Sequence, residues 1–559
     1  MRAIFSFTTI CAFIFSGALS AQQFEWARPM SGGSNEQGST IAVDASGNSY
    51  TVGVFSGVTD FDPTPGTLNI TAVGDYDIFL TRFDANGNML WVKTMGGIGG
   101  DFGYGITLDQ NSNIYITGGF NDVVDFDPGV GNVTLTSNGD EDIFVCEYDP
   151  NGNLVWAKNL GGVYMDEGHY ISVDSDNNVY TTGYFDILGD FDPSGATYNL
   201  YGQSCTNLFV SKLSGSGNFI WAKNVSGPTD GYALELDGNG GLFVTGIFWG
   251  SLDFDMNAGT SMLTSVGNYD CFIIKMDING NFTWGKSYGG PGLDNSGAIA
   301  LDTAGNIYTT GYFIDSVDFN PGAGSFQMTA GNYDAYLLKL DASGNFLMAK
   351  QITGFNAERG YSVDLDAAGN IYITGDFIGT ADFDTGPGSF TISSTWSANS
   401  IFVTRLDPSG NLDWAVQLGG NGIGHCIKLD NADNIYTTGF FYYQTADFDP
   451  GTGVFNMTAI GVNDAFVHKM SQGVTGISES VNASGIQLYP NPATNEIQVL
   501  SGLSWERYRI VNAIGEVVQE GSNCFSISVQ QLPAGFYFLQ LVNPEGEMRQ
   551  EKFVKAKGN

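Results

Sequence analysis

The stretch Asp109-Gln110-Asn111-Ser112-Asn113-Ile114-Tyr115-Ile116-Thr117-Gly118 is one copy of a motif that constrains this chain's fold more than any other feature. Anchored on Asn113, the copies fall at Asn48, Asn113, Asn178, Gly241, Asn306, Asn370 and Asn434, spaced by 65, 65, 63, 65, 64 and 64 residues. An Asp precedes each anchor, from Asp44 to Asp430. An aromatic residue follows it, from Tyr50 to Tyr436, and then a Gly, from Gly53 to Gly439. A period kept this faithfully requires a repeat architecture, in which each unit buries its faces against its neighbours.

Each repeat holds four short runs rich in β-branched and aromatic residues, bounded by Gly, Asn and Asp. In the second repeat these are residues 105–108 (a), 114–117 (b), 142–148 (c) and 154–158 (d). The a–b and c–d turns read Asp-x-x-Gly-Asn, as at Asp44 and Asn48, Asp84 and Asn88, Asp149 and Asn153, and Asp407 and Asn411. Asp bonds the backbone ahead of it and Gly or Asn accepts positive φ, so these residues are structural first. An EF-hand would need further ligands and a distal Glu that are missing. Four antiparallel strands repeated radially predict an all-β, seven-bladed β-propeller. The seventh repeat, residues 424–470, has no strand d after it. The missing strand is expected at residues 24–28, so that the N-terminal strand closes the last blade and no edge is left exposed.

The motif Asp-x-x-Gly-Asn-x-Tyr-x-Thr-Gly, with its Asp-x-Phe-x-x-Lys strand, resembles the bacterial SBBP β-propeller repeat family over residues 22–472. The resemblance implies the fold and leaves function open, because propellers host both enzymes and binding modules. After a small, polar linker at 473–485 the period breaks. Residues 486–559 read as a small β-sandwich carrying Tyr489-Pro490-Asn491-Pro492, Leu532-Pro533-Ala534-Gly535-Phe536-Tyr537 and Lys552-Phe553-Val554-Lys555. This segment resembles the type A C-terminal sorting domain of the type IX secretion system of Bacteroidetes. The resemblance implies passage across the outer membrane through that machinery, then removal of the domain, with the protein released or held at the surface. An ordinary accessory sandwich is the alternative.

Composition narrows the partners. A net charge of -38 argues against nucleic acid, whose phosphates need Lys and Arg. Arg2, an apolar run over residues 3–14 and small residues up to Ala21 read as an export signal at 1–21, too short to span a membrane. No later run reaches about 18 apolar residues, so no transmembrane segment is expected. The five remaining cysteines, Cys146, Cys205, Cys271, Cys426 and Cys524, are scattered and odd in number, and are expected mainly as buried thiols. A monomer is expected.

Strand order puts the tight turns on one face and the long b–c and d–a connections on the other, where binding sites gather. Two features stand out there. Each b–c connection carries Asp-Phe-Asp-Pro or a near copy, with acid pairs such as Asp60 and Asp62, Asp125 and Asp127, Asp190 and Asp192, and Asp447 and Asp449. Such pairs could hold calcium, a hard cation that takes oxygen ligands. Turn chemistry explains the same residues without a ligand and is preferred. The d–a connections bring Glu36, Asp101, Asp166, Asp230, Asp294 and Glu358 to what read as equivalent positions, with Gly422 breaking the set. Just inside come Ser39, Tyr104, His169, Tyr232, Gly297, Tyr361 and His425, expected to surround the channel mouth as a polar pocket for a sugar or a cation. Inner-strand packing with backbone capping by the acids is the competing account. His468, in the seventh strand c, reads as a surface or packing residue.

No Gly-x-Ser-x-Gly elbow, His-Glu-x-x-His helix or phosphate loop is present, and no catalytic residues are assigned. The expectation is a secreted or cell-surface propeller that binds an extracellular polysaccharide or protein without catalysis. The alternatives are a glycan-active enzyme using carboxylates at the channel mouth and a structural surface-layer component.

Overall fold

A computed structural model of the chain describes residues 22–394, 398–472, 486–489, 493–501, 504–512, 516–522, 524–544 and 548–556. The export signal at 1–21, the linker at 473–485 and Pro490, Asn491 and Pro492 of the sorting motif lie outside the described residues. The chain divides into two compact units, Met1–Gly473 and Val474–Asn559.

The first unit is a β-propeller of seven four-stranded antiparallel blades. Blade 2 shows the pattern: Phe102–Leu108, Ile114–Phe120, Asp142–Tyr148 and Leu154–Gly162, paired in that order. The innermost strands of blades 1 to 6 are Glu36–Val43, Phe102–Leu108, Glu167–Val173, Thr229–Leu236, Asn295–Leu301 and Glu358–Leu365. Residues 422–429 of the long strand Leu412–Leu429 serve blade 7. Each packs on the next and the seventh packs on the first, which closes the ring. The N-terminal strand Gln22–Gly32 pairs with Asp464–Gln472 from Gln22 opposite Gln472 to Met30 opposite Ala465. It supplies the fourth strand of blade 7, as its sequence predicts.

The repeated motif builds the turns. Asp44 Oδ1 accepts the Ser46 and Asn48 amides and its Oδ2 accepts from Asn48 Nδ2 at 2.7 Å. The same set recurs at Asp109, Asp174, Asp302, Asp366 and Asp430. Gly47 takes φ of 77°, and where a copy lacks Gly, Ser112, Asn177 and Asp433 carry the positive φ instead. The motif tyrosines are buried, and all but Tyr115 return the hydroxyl to the turn Asp, at 3.0 Å for Tyr180 and Asp174.

The Trp-x-Lys signature of strand d joins neighbouring blades. Trp26 Nε1 donates to Ala85 O, Trp156 Nε1 to Gly215 O and Trp221 Nε1 to Ile278 O, each on the c–d turn of the following blade. A side chain on that turn's glycine would collide with the Trp or its Lys partner, as at Gly87 and Gly217, which explains the Gly beyond its positive φ.

The b–c connections are ordered hairpins rather than loops. Val58–Asp60 pairs with Asn69–Thr71, and Ser31 and Gly32 of blade 7's outer strand pair with Asp60 and Thr59 of blade 1. The same lateral pairing joins Gly161 to Asp190 and Thr353 to Asp382. These hairpins thus extend one blade's outer strand onto its neighbour.

The second unit is a small sandwich of one three-stranded and one four-stranded sheet, with Ile497, Ile510, Leu539 and Phe553 in its core. Its described motif residues pack structurally. Tyr537 stacks on Phe553 and bonds Pro533 O, Gly535 pairs with Lys555, and Lys552 lies over Phe536.

Candidate functional site

Along each innermost strand the exposure alternates, so two layers of side chains face the central channel near the long connections. The outer layer is Gln37, Phe102, Glu167, Asp230, Asn295, Arg359 and Ile423. The inner layer is Ser39, Tyr104, His169, Tyr232, Gly297, Tyr361 and His425. All of these are half-buried on the innermost strands.

The expected rim of acids requires correction. Asp101, Asp166, Asp294 and Glu358, with Glu36, alternate with the channel-facing residues and are buried between blades, at most 1% exposed. Four of them take backbone amides: Glu36 takes Gly32, Asp101 takes Gly97 and Asn121, Asp166 takes Gly162 and Asp186, and Asp294 takes Gly290, while neither oxygen of Glu358 has a donor among the described residues. Asp230 is not equivalent to them. Thr229 holds that register in blade 4, and Asp230 stands one residue on, which in a strand points it to the opposite side.

Each buried acid has a carboxyl neighbour on strand c of the preceding blade. Asp464 lies near Glu36, Asp77 near Asp101, Asp142 near Asp166, Asp270 near Asp294 and Asp334 near Glu358. Where strand c carries Asn207, the next blade carries Thr229; where it carries Ser400, the next carries Gly422. Burial first, then mutual repulsion, raises Glu36 to about 8, Asp101 to about 6, Asp166 to about 8 and Asp294 to about 7. Glu358 is raised to about 9 by burial and then by the charge of Asp334.

The Asp-Phe-Asp pairs are likewise occupied by donors. Asp60 Oδ1 accepts the Asp62 and Leu68 amides, Asp125 those of Asp127 and Val133, Asp190 those of Asp192 and Tyr198, and Asp447 those of Asp449 and Phe455. Each intervening Phe, such as Phe61 and Phe126, is fully buried. Among the described residues no group of three or more His, Cys, Asp or Glu side chains is arranged to hold a metal ion.

At the mouth the repeat breaks into two unlike halves. On one side His169 is held between two carboxylates, with Nε2 3.1 Å from Glu167 Oε2 and Nδ1 3.3 Å from Asp230 Oδ1. Nε2 is hydrogen-bonded to Glu167, whereas Nδ1 meets Asp230 as a close charge contact without a hydrogen bond. Burial works to lower the imidazole pKa, but the two carboxylates more than offset it and raise it to about 10. Tyr104 and Tyr184 meet this imidazolium edge-on at 5.5 Å, and Tyr232 stacks on it at 5.7 Å. Glu141, 7% exposed, is raised to about 8 by burial and then by Glu167.

On the other side Arg359 Nη1 is 3.5 Å from the buried Asp376 Oδ2, and its guanidinium lies over Tyr312 and Tyr333. His425 occupies the same repeat position as His169 with opposite chemistry. Its Nδ1 donates to Gly38 O at 3.0 Å across the closing junction, and burial lowers its pKa. His468 is a packing residue, 0% exposed, with Nε2 on Phe448 O and its pKa lowered by burial to about 4. The thiols are all free, and only Cys205 among the five is not buried.

Sequence reading missed Glu141, Glu167, Tyr184, Arg359 and Asp376. The available signal was the residue before the inner-strand Gly, which is Gln, Phe, Glu, Asp and Arg in different blades where the flanking residues repeat.

Residues 487–556 match the secretion system C-terminal sorting domain. Residues 90–118, strand d of blade 1 with strands a and b of blade 2, match a beta-propeller repeat. The tail marks proteins exported by the type IX secretion system, so this is a propeller exported to the cell surface or extracellular space through that machinery. No described helix is long and apolar enough to cross a membrane. The chain is 26% identical to an uncharacterized WD repeat-containing protein of Acanthamoeba polyphaga mimivirus, over 76% of this chain and 36% of that protein. It is 22% identical to the regulatory protein FlaEY of Caulobacter vibrioides, over 78% of this chain and 46% of that one. The chain thus spans less than half the length of either curated relative. Among solved structures, Sqt1 from Chaetomium thermophilum matches with a TM-score of 0.34 and 12% identity, covering 75% of this chain and 97% of that one.

Proposed function

We propose that this exported propeller is a non-catalytic binding protein whose ligand, an extracellular polysaccharide, sits on the channel mouth beside the long connections. The observation that carries this reading is the inner layer of half-buried rings, Tyr104, His169, Tyr232, Tyr361 and His425, interrupted by Ser39 and Gly297. Aromatic faces suit the C–H surfaces of sugars, and a few fixed polar groups orient the hydroxyls. Glu167 and Asp230 bind without turning over because both are tied to His169, which leaves neither free as a general base. Seven near-equivalent blades otherwise supply scaffold, and the departures from equivalence make the site.

The test is a glycan array with the full chain, followed by calorimetry on whatever binds. Tyr232→Ala and Tyr361→Ala are each expected to weaken binding by roughly tenfold, about 1.4 kcal/mol, with the folded baseline unchanged. Unaltered affinity in both variants would move the ligand away from the mouth. Release of shortened product would replace binding with hydrolysis.

A further inference from the structure

The opposite end of the channel, beside the tight turns, holds a second polar constellation that the repeat does not account for. Two positions before the turn Asp, four blades carry Ala, Ser or Thr, while the other three carry Glu235, Asp364 and Lys428. A cavity of about 210 Å³ lies there, lined by Thr107, Tyr170, Ser172, Glu235 and Lys428 over an apolar base. Asp364 Oδ2 accepts the Leu429 amide at 2.8 Å. Lys428 of blade 7 is acted on most strongly by Tyr170, then by Asp364, and also by Glu235 of blade 4 across the channel. Among the described residues, however, the Lys428 ammonium has no carboxylate oxygen within 4.0 Å and makes no side-chain hydrogen bond.

We propose that this cavity binds a small zwitterion, with Lys428 on its carboxylate and Glu235 on its ammonium group. A desolvated charge without a partner is costly, and a ligand carrying both charges matches both walls at once. A singly charged molecule of the same size would match one wall and leave the other facing it unpaired. The Thr107, Tyr170 and Ser172 hydroxyls supply the remaining hydrogen bonds. A volume below the usual range for larger ligands limits the occupant to the scale of a free amino acid. The site lies at the other end of the channel from the polysaccharide site and does not depend on it.

The experiment is the thermal midpoint of the full chain titrated with glycine, β-alanine, γ-aminobutyrate, acetate and methylamine. A ligand that binds only the folded state raises the midpoint with concentration. At least one of the three zwitterions is expected to raise it by several degrees at about 10 mM, while acetate and methylamine do not. The wild-type series tests the idea even if a variant folds poorly. Lys428→Met and Glu235→Gln should each abolish the rise. No rise with any zwitterion overturns the proposal, as does an equal rise with acetate or methylamine, or a rise that survives in both variants.

Discussion

Deleting residues 22–32 is expected to abolish the cooperative unfolding of the propeller and to leave blade 7 open to proteolysis. That strand contributes the pairing with Asp464–Gln472 and the buried side chains Trp26, Ala27 and Met30. It also carries the Trp26 Nε1 and Arg28 Nε bonds to the next blade's turn at Ala85 and Gly87. Losing Trp26 and Met30 alone forfeits roughly 5–10 kcal/mol, given about 3–5 for a buried Trp and 2–5 for a Met. That is comparable with the whole stability of an ordinary domain. Urea unfolding followed by tryptophan fluorescence, with limited proteolysis, reads the effect. An unchanged midpoint in the shortened chain would mean that ring closure contributes nothing to stability. The point variant Trp26→Ala should reproduce part of the loss while the strand stays in place.

The second large effect is on pH. The interblade carboxyls have pKa values raised in the fold, from about 6 at Asp101 to about 9 at Glu358. A raised carboxyl binds its proton more tightly when folded. Its stabilising contribution is complete below its unfolded value near 4 and is lost as pH rises through the folded value. His169, raised to about 10, acts in the same direction at higher pH. The turn acids oppose this: Asp174 and Asp302 are lowered by Asn and backbone donors despite some burial, and their contribution is lost only in strong acid. His468, held neutral, is lost as pH falls through about 4.

Stability is therefore expected to peak near pH 5 and to fall steadily to pH 9. Even a one-unit displacement per pair is worth about 1.4 kcal/mol, so five pairs amount to roughly 7 kcal/mol. Denaturant midpoints measured across that range at fixed ionic strength test this. Glu358→Gln should flatten the upper part of the profile and raise the midpoint at pH 9. A profile that rises from pH 5 to pH 9 would show that the junction carboxyls are ionised without cost.

The mouth illustrates where sequence reading loses its grip. A residue type that recurs in register is legible in the sequence, as for Tyr104, Tyr232 and Tyr361. Asp230 is misplaced because one residue along a strand reverses the side chain, and an acid one place out of register passes as a member of the set. Sequence reading could not separate His169 from His425, which share a repeat position. Their charge states depend on what the neighbouring blade presents, two carboxylates in one case and the Gly38 carbonyl in the other.

By itself the sequence determined the period, the turns, the seven four-stranded units, the strand that closes the ring and the exported tail. All but the tail follow from local chemistry, since Asp, Asn and Gly fix turns and alternating apolar residues fix strands within a few residues of one another, whereas the tail was legible only through its resemblance to a known sorting domain. The tertiary structure alone decided which acids are buried against each other, that the hairpins reach across to the preceding blade, and that Glu235 and Lys428 face one another across the channel. Those facts join residues far apart in the chain, and burial and charge pairing exist only once the ring has closed.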